Sequence, residues 1–214
     1  MATDNVHKYG FRWAAGQGPM PAPVKLFVAT GQDHVDDGAT SVILRPGDPL
    51  KLVSTGGVNL AVTTNLPSYI MVGLGPVWDG TAMSPRRTFP NQNAWGTVEA
   101  RRPYVLGVPV KSGYWEIDVD DATSATTYAG YVAFIGENAE HTCAGSATID
   151  PVGRVGDPRL DISVHATTAG LGWRIEGISE SVENRDFAGA NVKLIVRVND
   201  SQEAGSAATN VVGI

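Results

Sequence analysis

The sequence predicts an all-β fold: an antiparallel β-barrel or sandwich-like module with an extended N-terminal arm and at most one or two short helices. Three observations predict it. Short runs of β-branched and aromatic residues recur from Val24 onward, bounded by Gly, Pro, Asn or Asp at the spacing of a sandwich or barrel. Gly (25) and Pro (13) are plentiful and only 18% of residues are charged, as in chains of many short strands joined by turns. At 214 residues the chain can bury a core without staples, and a single cysteine, Cys143, excludes an intrachain disulfide and a cysteine-cluster metal site.

Residues 1–23 read as an extended arm. Tyr9, Phe11 and Trp13 stand at strand-like spacing, and AAGQGPMPAP after them suits neither a helix nor a central strand. A disordered terminus is the plain alternative, but such segments are poor in aromatics. Residues 24–214 form the β-rich domain. Its first strands are KLFVAT, TSVILR, PLKLVS, VNLAVT and SYIMVGLG, with GDP and TGG turns making hairpins of the middle ones.

Residues 76–102, PVWDGTAMSPRRTFPNQNAWGTVEARR, break the pattern and read as an inserted loop, a length that in compact domains is functional or disordered. Strands resume with PYVLGVPV and YWEIDVD, in which Trp115, Ile117 and Val119 face a core and Glu116, Asp118 and Asp120 face solvent. In DATSATTYAGYVAFIGE, Ala125, Tyr128, Ala129, Val132 and Ile135 recur at helical spacing behind two aspartates, which predicts one short helix, although Thr, Tyr and Val also suit a strand.

The last third supplies RLDISVHAT, LGWRIEGIS and NVKLIVRVND. Leu160, Ile162 and Val164, then Leu171, Trp173 and Ile175, then Val192, Leu194, Val196 and Val198 line one face of each. Glycines inside strand runs, Gly73, Gly75, Gly107 and Gly177, predict bulges or close backbone approach.

Charge and motifs narrow the function. The net charge of -6 argues against nucleic acid or an anionic membrane as partner, since both reward clustered Lys and Arg. The N-terminus lacks the order of a signal peptide and no long apolar run occurs, so a protein made in the cytoplasm and used without export is expected. His7, His34, His141 and His165 show no metal-ligand spacing. His141 near Cys143 and Ser146 resembles no nucleophile motif, so Cys143 reads as a buried thiol. The acidic stretch QDHVDDG at 32–38 lacks the spacing of a calcium loop and reads as a solvated turn. No catalytic residues, cofactor or metal are expected. The residues least like an idle surface are Phe89 and Trp95 with Arg86 and Arg87 in the loop, and Tyr9, Phe11 and Trp13 in the arm. These are the residue types enriched at protein interfaces.

The order of elements carries a resemblance. A Pro-Gly-Asp turn, an apolar strand, a Gly turn and an alternating strand (RPGDPLKLVSTGGVNLAV) lead to IMVGLGPVWDG. WGTV, PYVLGVPV, YWEIDVDD, IGENAEH, GSATID, RLDISVHAT, GWRIEGIS, ENRD and VKLIVRVN follow in turn. Over roughly residues 40–199 this order resembles the decoration, or head cement, proteins of tailed phages. The resemblance implies a structural protein of the virion exterior that binds the major capsid protein and holds neighbouring capsomers together; a trimer is expected because local threefold positions are common lattice sites, with a dimer or a monomer as the alternatives. It offers no catalytic residues and does not reach the first 25 residues. The rival readings are another virion component, such as a tail tube or head-completion protein, and a carbohydrate-binding β-sandwich with Trp stacking platforms.

Overall fold

The protein is described from a computed structural model. The model describes Asn5 and residues 9–14, 17–29, 44–54, 57–62, 66–74, 77–78, 83–84, 104–120, 124–143, 158–167, 170–182 and 184–199. In chain order the strands are β1 (Arg12–Trp13), β2 (Val24–Phe27), β3 (Pro49–Leu52), β4 (Val58–Leu60), β5 (Tyr69–Leu74), β6 (Val77–Trp78), β7 (Met83–Ser84), β8 (Tyr104–Pro109) and β9 (Trp115–Asp118). A single helix α1 (Tyr128–Val132) precedes β10 (Asn138–Thr142), β11 (Arg159–Ala166), β12 (Trp173–Ile178) and β13 (Lys193–Val198). The predicted all-β class is found, in its sandwich-like form. A six-stranded antiparallel sheet, β1-β9-β13-β12-β10-β11, and a five-stranded one, β2-β8-β5-β3-β4, make up the fold, and β6 pairs with β7 inside the expected loop.

The β3–β4 hairpin pairs as its turn residues require. Leu50 lies opposite Leu60 and Leu52 opposite Val58, and the Gly turn is completed by Gly57 at φ 108. The small sheet is buried on both faces at its centre. Neighbouring residues Ile70 and Met71 of β5, on opposite faces, are both fully buried. Ile70, with Val108 of β8, joins the cluster built on Trp115, Ile117, Leu160, Trp173, Ile175, Leu194 and Val196 of the large sheet. Met71, with Val105, packs with Leu50, Val58, Leu60 and Cys143. Two-sided burial is why YIMVGL and YVLGVP read as continuous apolar runs. The strand glycines behave as expected where they are described. The register shifts at Met71/Gly73 and Ile175/Gly177, and a Cβ on Gly107 would stand 2.5 Å from Leu26 Cδ1. Gly75 lies outside the described residues, as do the 32–38 turn and most of TSVILR.

Two expectations are corrected. The helix forms, capped by Thr127, whose hydroxyl accepts from the Gly130 amide at 3.1 Å. It turns the other way round, however: Tyr131 and Phe134 are buried while Tyr128, Val132 and Ile135 are exposed. With a single turn, the larger pair of aromatics decides the facing, and Tyr131 meets Phe187 while Phe134 meets His165 edge-on.

The acidic side of β9 is not solvated either. Glu116 and Asp118 are buried. Arg12 Nε bonds Glu116 at 3.1 Å, and its Nη2 bonds Asp118 at 2.8 Å. Lys193, opposite Asp118 in register and fully buried, approaches the same carboxylate at 3.9 Å, and the Ser179 hydroxyl donates to Glu116. Loop 179–192 covers this network. Asn184 accepts from the Lys193 amide and donates to the Ser179 and Lys193 carbonyls. Asn5 Oδ1 accepts from the amides of Arg185 and Asp186 while its Nδ2 donates to the Asp186 and Ala190 carbonyls. Alternation placed the carboxylates on the outer face correctly, but only a distant loop decides whether an outer face is wet.

His141 joins the sheets. From β10 its Nε2–H donates to the Ala61 carbonyl beyond β4 at 2.8 Å, and the Trp173 indole N–H donates to its Nδ1 at 3.2 Å, which fixes the neutral tautomer. Burial lowers its pKa from 6.5 to about 4, against a smaller upward pull from the Ala61 carbonyl. The unfolded chain therefore takes up this proton near 6.5 and the fold only near 4. The stability at stake is fully present above pH 6.5, falls as pH drops toward 4, and amounts to on the order of 3 kcal/mol. Urea midpoints measured at pH 7 and 4.5 are expected to separate in the wild type and to converge in His141→Gln; an equal separation in both would refute the role.

Gly10 and Gly47 carry a second prediction. Gly10 (φ 61) lies against Gly47 (φ 102), and a Cβ on Gly10 would stand 2.5 Å from the Gly47 carbonyl oxygen. Gly10→Ala is expected to cost about 2–4 kcal/mol, from a left-handed backbone and a collision with main chain together. Thermal unfolding measures it, and a loss below about 0.5 kcal/mol counts against this contact.

Candidate functional site

Residues 9–14, expected as a free arm, are built into the fold. The Tyr9 hydroxyl donates to the buried Asp48 carboxylate at 2.7 Å, and Asp48 also accepts from the Arg45 amide at 2.6 Å. Burial first, and the neighbouring carboxylate second, push the Tyr9 phenol up, so it stays a donor. Phe11 is 3% exposed. Its ring stacks on Trp173 with centroids 4.3 Å apart, and its amide donates to the Gly47 carbonyl at 2.9 Å. A ring spent this way has no face left for a partner, so Phe11 serves the core. Trp13 lies opposite Trp115 in register, edge-on to it at 5.4 Å, and donates its indole N–H to the Gly18 carbonyl at 2.9 Å. It is half-buried and stands at the margin of the surface. Arg86, Arg87, Phe89 and Trp95 lie outside the described residues, so only the arm half of the expected contact set is placed.

The margin beside Trp13 is a groove of about 360 Å³ lined by Lys111, Gly113, Tyr114, Arg197 and Val198. Three local features build it. A single 3-10 turn, Val110–Ser112, follows β8 and sets Lys111 at the rim, while Val110 is buried and accepts the Trp115 indole N–H at 2.9 Å. The Gln17 side chain continues the β1–β9 ladder as a backbone would: its carbonyl accepts from the Tyr114 amide at 2.7 Å and its amide donates to the Tyr114 carbonyl. The last residues of β13, Arg197 and Val198, complete the lining. Tyr114 is 40% exposed, a large aromatic held by its own backbone on a rigid sheet.

The charges around the groove differ from the chain as a whole. Arg174 and Arg197 are directly opposite in the β12–β13 register, and Glu176 lies between them, 2.5 Å from Arg197 Nε and 3.5 Å from Arg174 Nε. Of the described residues that line the groove itself, Lys111 and Arg197 are the cations. Sequence reading missed the groove because Lys111 and Tyr114 lie far along the chain from Arg197, which stands opposite Arg174 in register. The available signal was Arg174 and Arg197 standing at polar positions of alternating strands.

Among the described residues, no group of three His, Cys, Asp or Glu side chains is placed to hold a metal ion, and no helix is long and apolar enough to cross a membrane. Cys143 is a buried thiol with no disulfide, as the sequence led one to expect. Comparison with protein-family models, curated proteins and solved structures returns no match. The residues of the groove are therefore the basis for a functional reading.

Gly113 is the weak point of this construction. A Cβ there would collide with Gln17 and stand 2.5 Å from Trp13 Cη2. Gly113→Ala is expected to displace the indole and cost about 1–3 kcal/mol, as overpacking does. A shift of tryptophan emission together with a lowered urea midpoint checks it, and an unchanged spectrum would contradict the packing described.

Proposed function

We propose that this chain is a non-enzymatic structural protein of a tailed-phage virion. It binds the outer surface of the major capsid protein lattice and cements adjacent capsomers, stabilising the expanded head. Two things support the reading: the strand-and-turn order that resembles head cement proteins, and a rigid two-sheet frame carrying an aromatic and cationic groove at its surface. The observation that carries it is Tyr114 beside Arg197 in the groove, with Trp13 against the adjoining Gly113, residue types that supply most of the energy of protein interfaces, held next to an inner strand rather than on a mobile segment. A cement protein acts by many weak contacts repeated over a lattice, and a pre-organised anchor lowers the ordering cost of each one. Arg86, Arg87, Phe89 and Trp95 are proposed as the second contact, reaching a neighbouring capsid subunit.

A glycan-binding reading is the second choice, favoured by Tyr114 as a stacking platform beside the Gln17 amide. Purified protein incubated with undecorated, expanded heads and sedimented is expected to pellet with them saturably at regular lattice positions. Tyr114→Ala, which removes an exposed ring, is expected to bind about tenfold more weakly with unchanged thermal stability. Protein that stays in the supernatant with heads of its own phage, while binding on a glycan array, would replace the cement reading by the second.

A further inference from the structure

We propose that Lys193 and Asp118 join in the folded chain as an intramolecular isopeptide bond, from Lys193 Nζ to Asp118 Cγ with loss of one water, which links β9 to β13 covalently. The strand register supplies the first argument. Lys193 and Asp118 are direct partners across the β9–β13 ladder. The Val119 amide donates to the Val192 carbonyl, whereas the Lys193 amide donates to Asn184 and its carbonyl accepts from Ser179 and Asn184. Lys193 thus turns its backbone groups away from β9, and the pair is of the non-hydrogen-bonded kind, whose side chains stand closest. Both side chains are fully buried, and Lys193 Nζ lies 3.9 Å from Asp118 Oδ1 while donating to the Asn191 carbonyl at 3.2 Å.

The second argument is the choice of residues. A structural ion pair in a dry site favours arginine, which is weakly hydrated and forks onto a carboxylate, and Arg12 already fills that place on Asp118 and Glu116. Lysine is a compact, strongly hydrated charge that gives up its proton when desolvated and then serves as a nucleophile. As a neutral amide the Lys193–Asp118 pair gives up both of its buried charges, while Arg12 keeps Glu116.

The step balances within the chain. A proton passes from the ammonium to a carboxyl group, the freed Nζ electron pair attacks Cγ, and a C–N bond forms as a C–O bond breaks. Nζ gives up two protons in all, and both leave with one Asp118 oxygen as water. Arg12 Nη2, 2.8 Å from Oδ1, faces the oxygen on which negative charge develops. Glu116 accepts from Nε of the same guanidinium, which holds the two carboxyl groups side by side and gives the migrating proton a relay. Opposition across a rigid ladder supplies the proximity, which in well-oriented intramolecular reactions reaches effective concentrations on the order of 10⁵–10⁸ M. The bond staples the large sheet without a disulfide, which a single cysteine cannot make within the chain.

The test is mass spectrometry of the folded full-length protein, denatured just before injection, beside the Lys193→Met variant. The wild type is expected to be lighter than its sequence by one water, and Lys193→Met to keep its full sequence mass. A protease digest of the wild type is expected to yield a branched peptide in which residues 118 and 193 are joined, and it also fixes the N-terminus from which each mass is counted. Folded wild type at its full sequence mass would overturn the inference. So would a water loss that persists in Lys193→Met, or one that the digest places at other residues. The wild-type measurement needs no variant to fold, so a Lys193→Met chain that fails to fold leaves the decision intact. The outcome is independent of the capsid reading, because the bond forms in the isolated chain and no head is present.

Discussion

The architecture depends on a five-residue crossing from Tyr9 to Trp13. At one end the Tyr9 hydroxyl and the Phe11 amide bind the Asp48 and Gly47 turn, which in turn bonds β5 of the small sheet. At the other end Arg12 and Trp13 pair with β9 of the large sheet, and between them Phe11 enters the core against Trp173. The crossing is close enough that two glycines must touch, both at positive φ. A larger residue at either place would part the chain segments and open the interface from which Trp173 and His141 draw their burial.

Two consequences follow on the outer face of the large sheet. Arg12, delivered by the crossing, neutralises carboxylates that loop 179–192 has removed from water, a geometry that is costly to break because each buried charge would be left alone. Trp13, one residue on, leans past Gly113 and forms the margin of the groove. One short strand thus both secures the sheet and shapes its surface. The rigidity of the groove comes from the core, and an anchor held this way loses little freedom when a partner arrives. His141, on the inner side, ties the same region to the small sheet by a hydrogen bond that only a neutral imidazole makes at both nitrogens.

Much of this was legible in the chain. The hairpin of β3 and β4, the alternation in β12 and β13, the bulge glycines and the buried thiol follow from local pattern, since burial of one sheet face and the needs of a turn act within a few residues. Strand β10, Asn138–Thr142, escaped because NAEHT has almost no β-forming residues, and it is a strand only through its pairing with β11 and β12. The small β6–β7 pair lay inside a segment read as a loop, although the Asp-Gly between its strands is a hairpin signal. Helix α1 was found and its facing reversed, because a single turn is too short for periodicity to outweigh Tyr131 and Phe134.

By itself the sequence determined the all-β class, most strand positions, the absence of a disulfide and the aromatic character of the first residues, because each rests on composition or on a period of two. Tertiary structure alone decided that Tyr9, Phe11 and Trp13 are stitches rather than a free arm, that Glu116 and Asp118 are buried, and that Lys111 and Tyr114 meet Arg197. The reason is physical. Alternation tells which side of a strand a residue occupies, but whether that side meets water, a loop or another sheet depends on residues scores of positions away, and no local period encodes that distance.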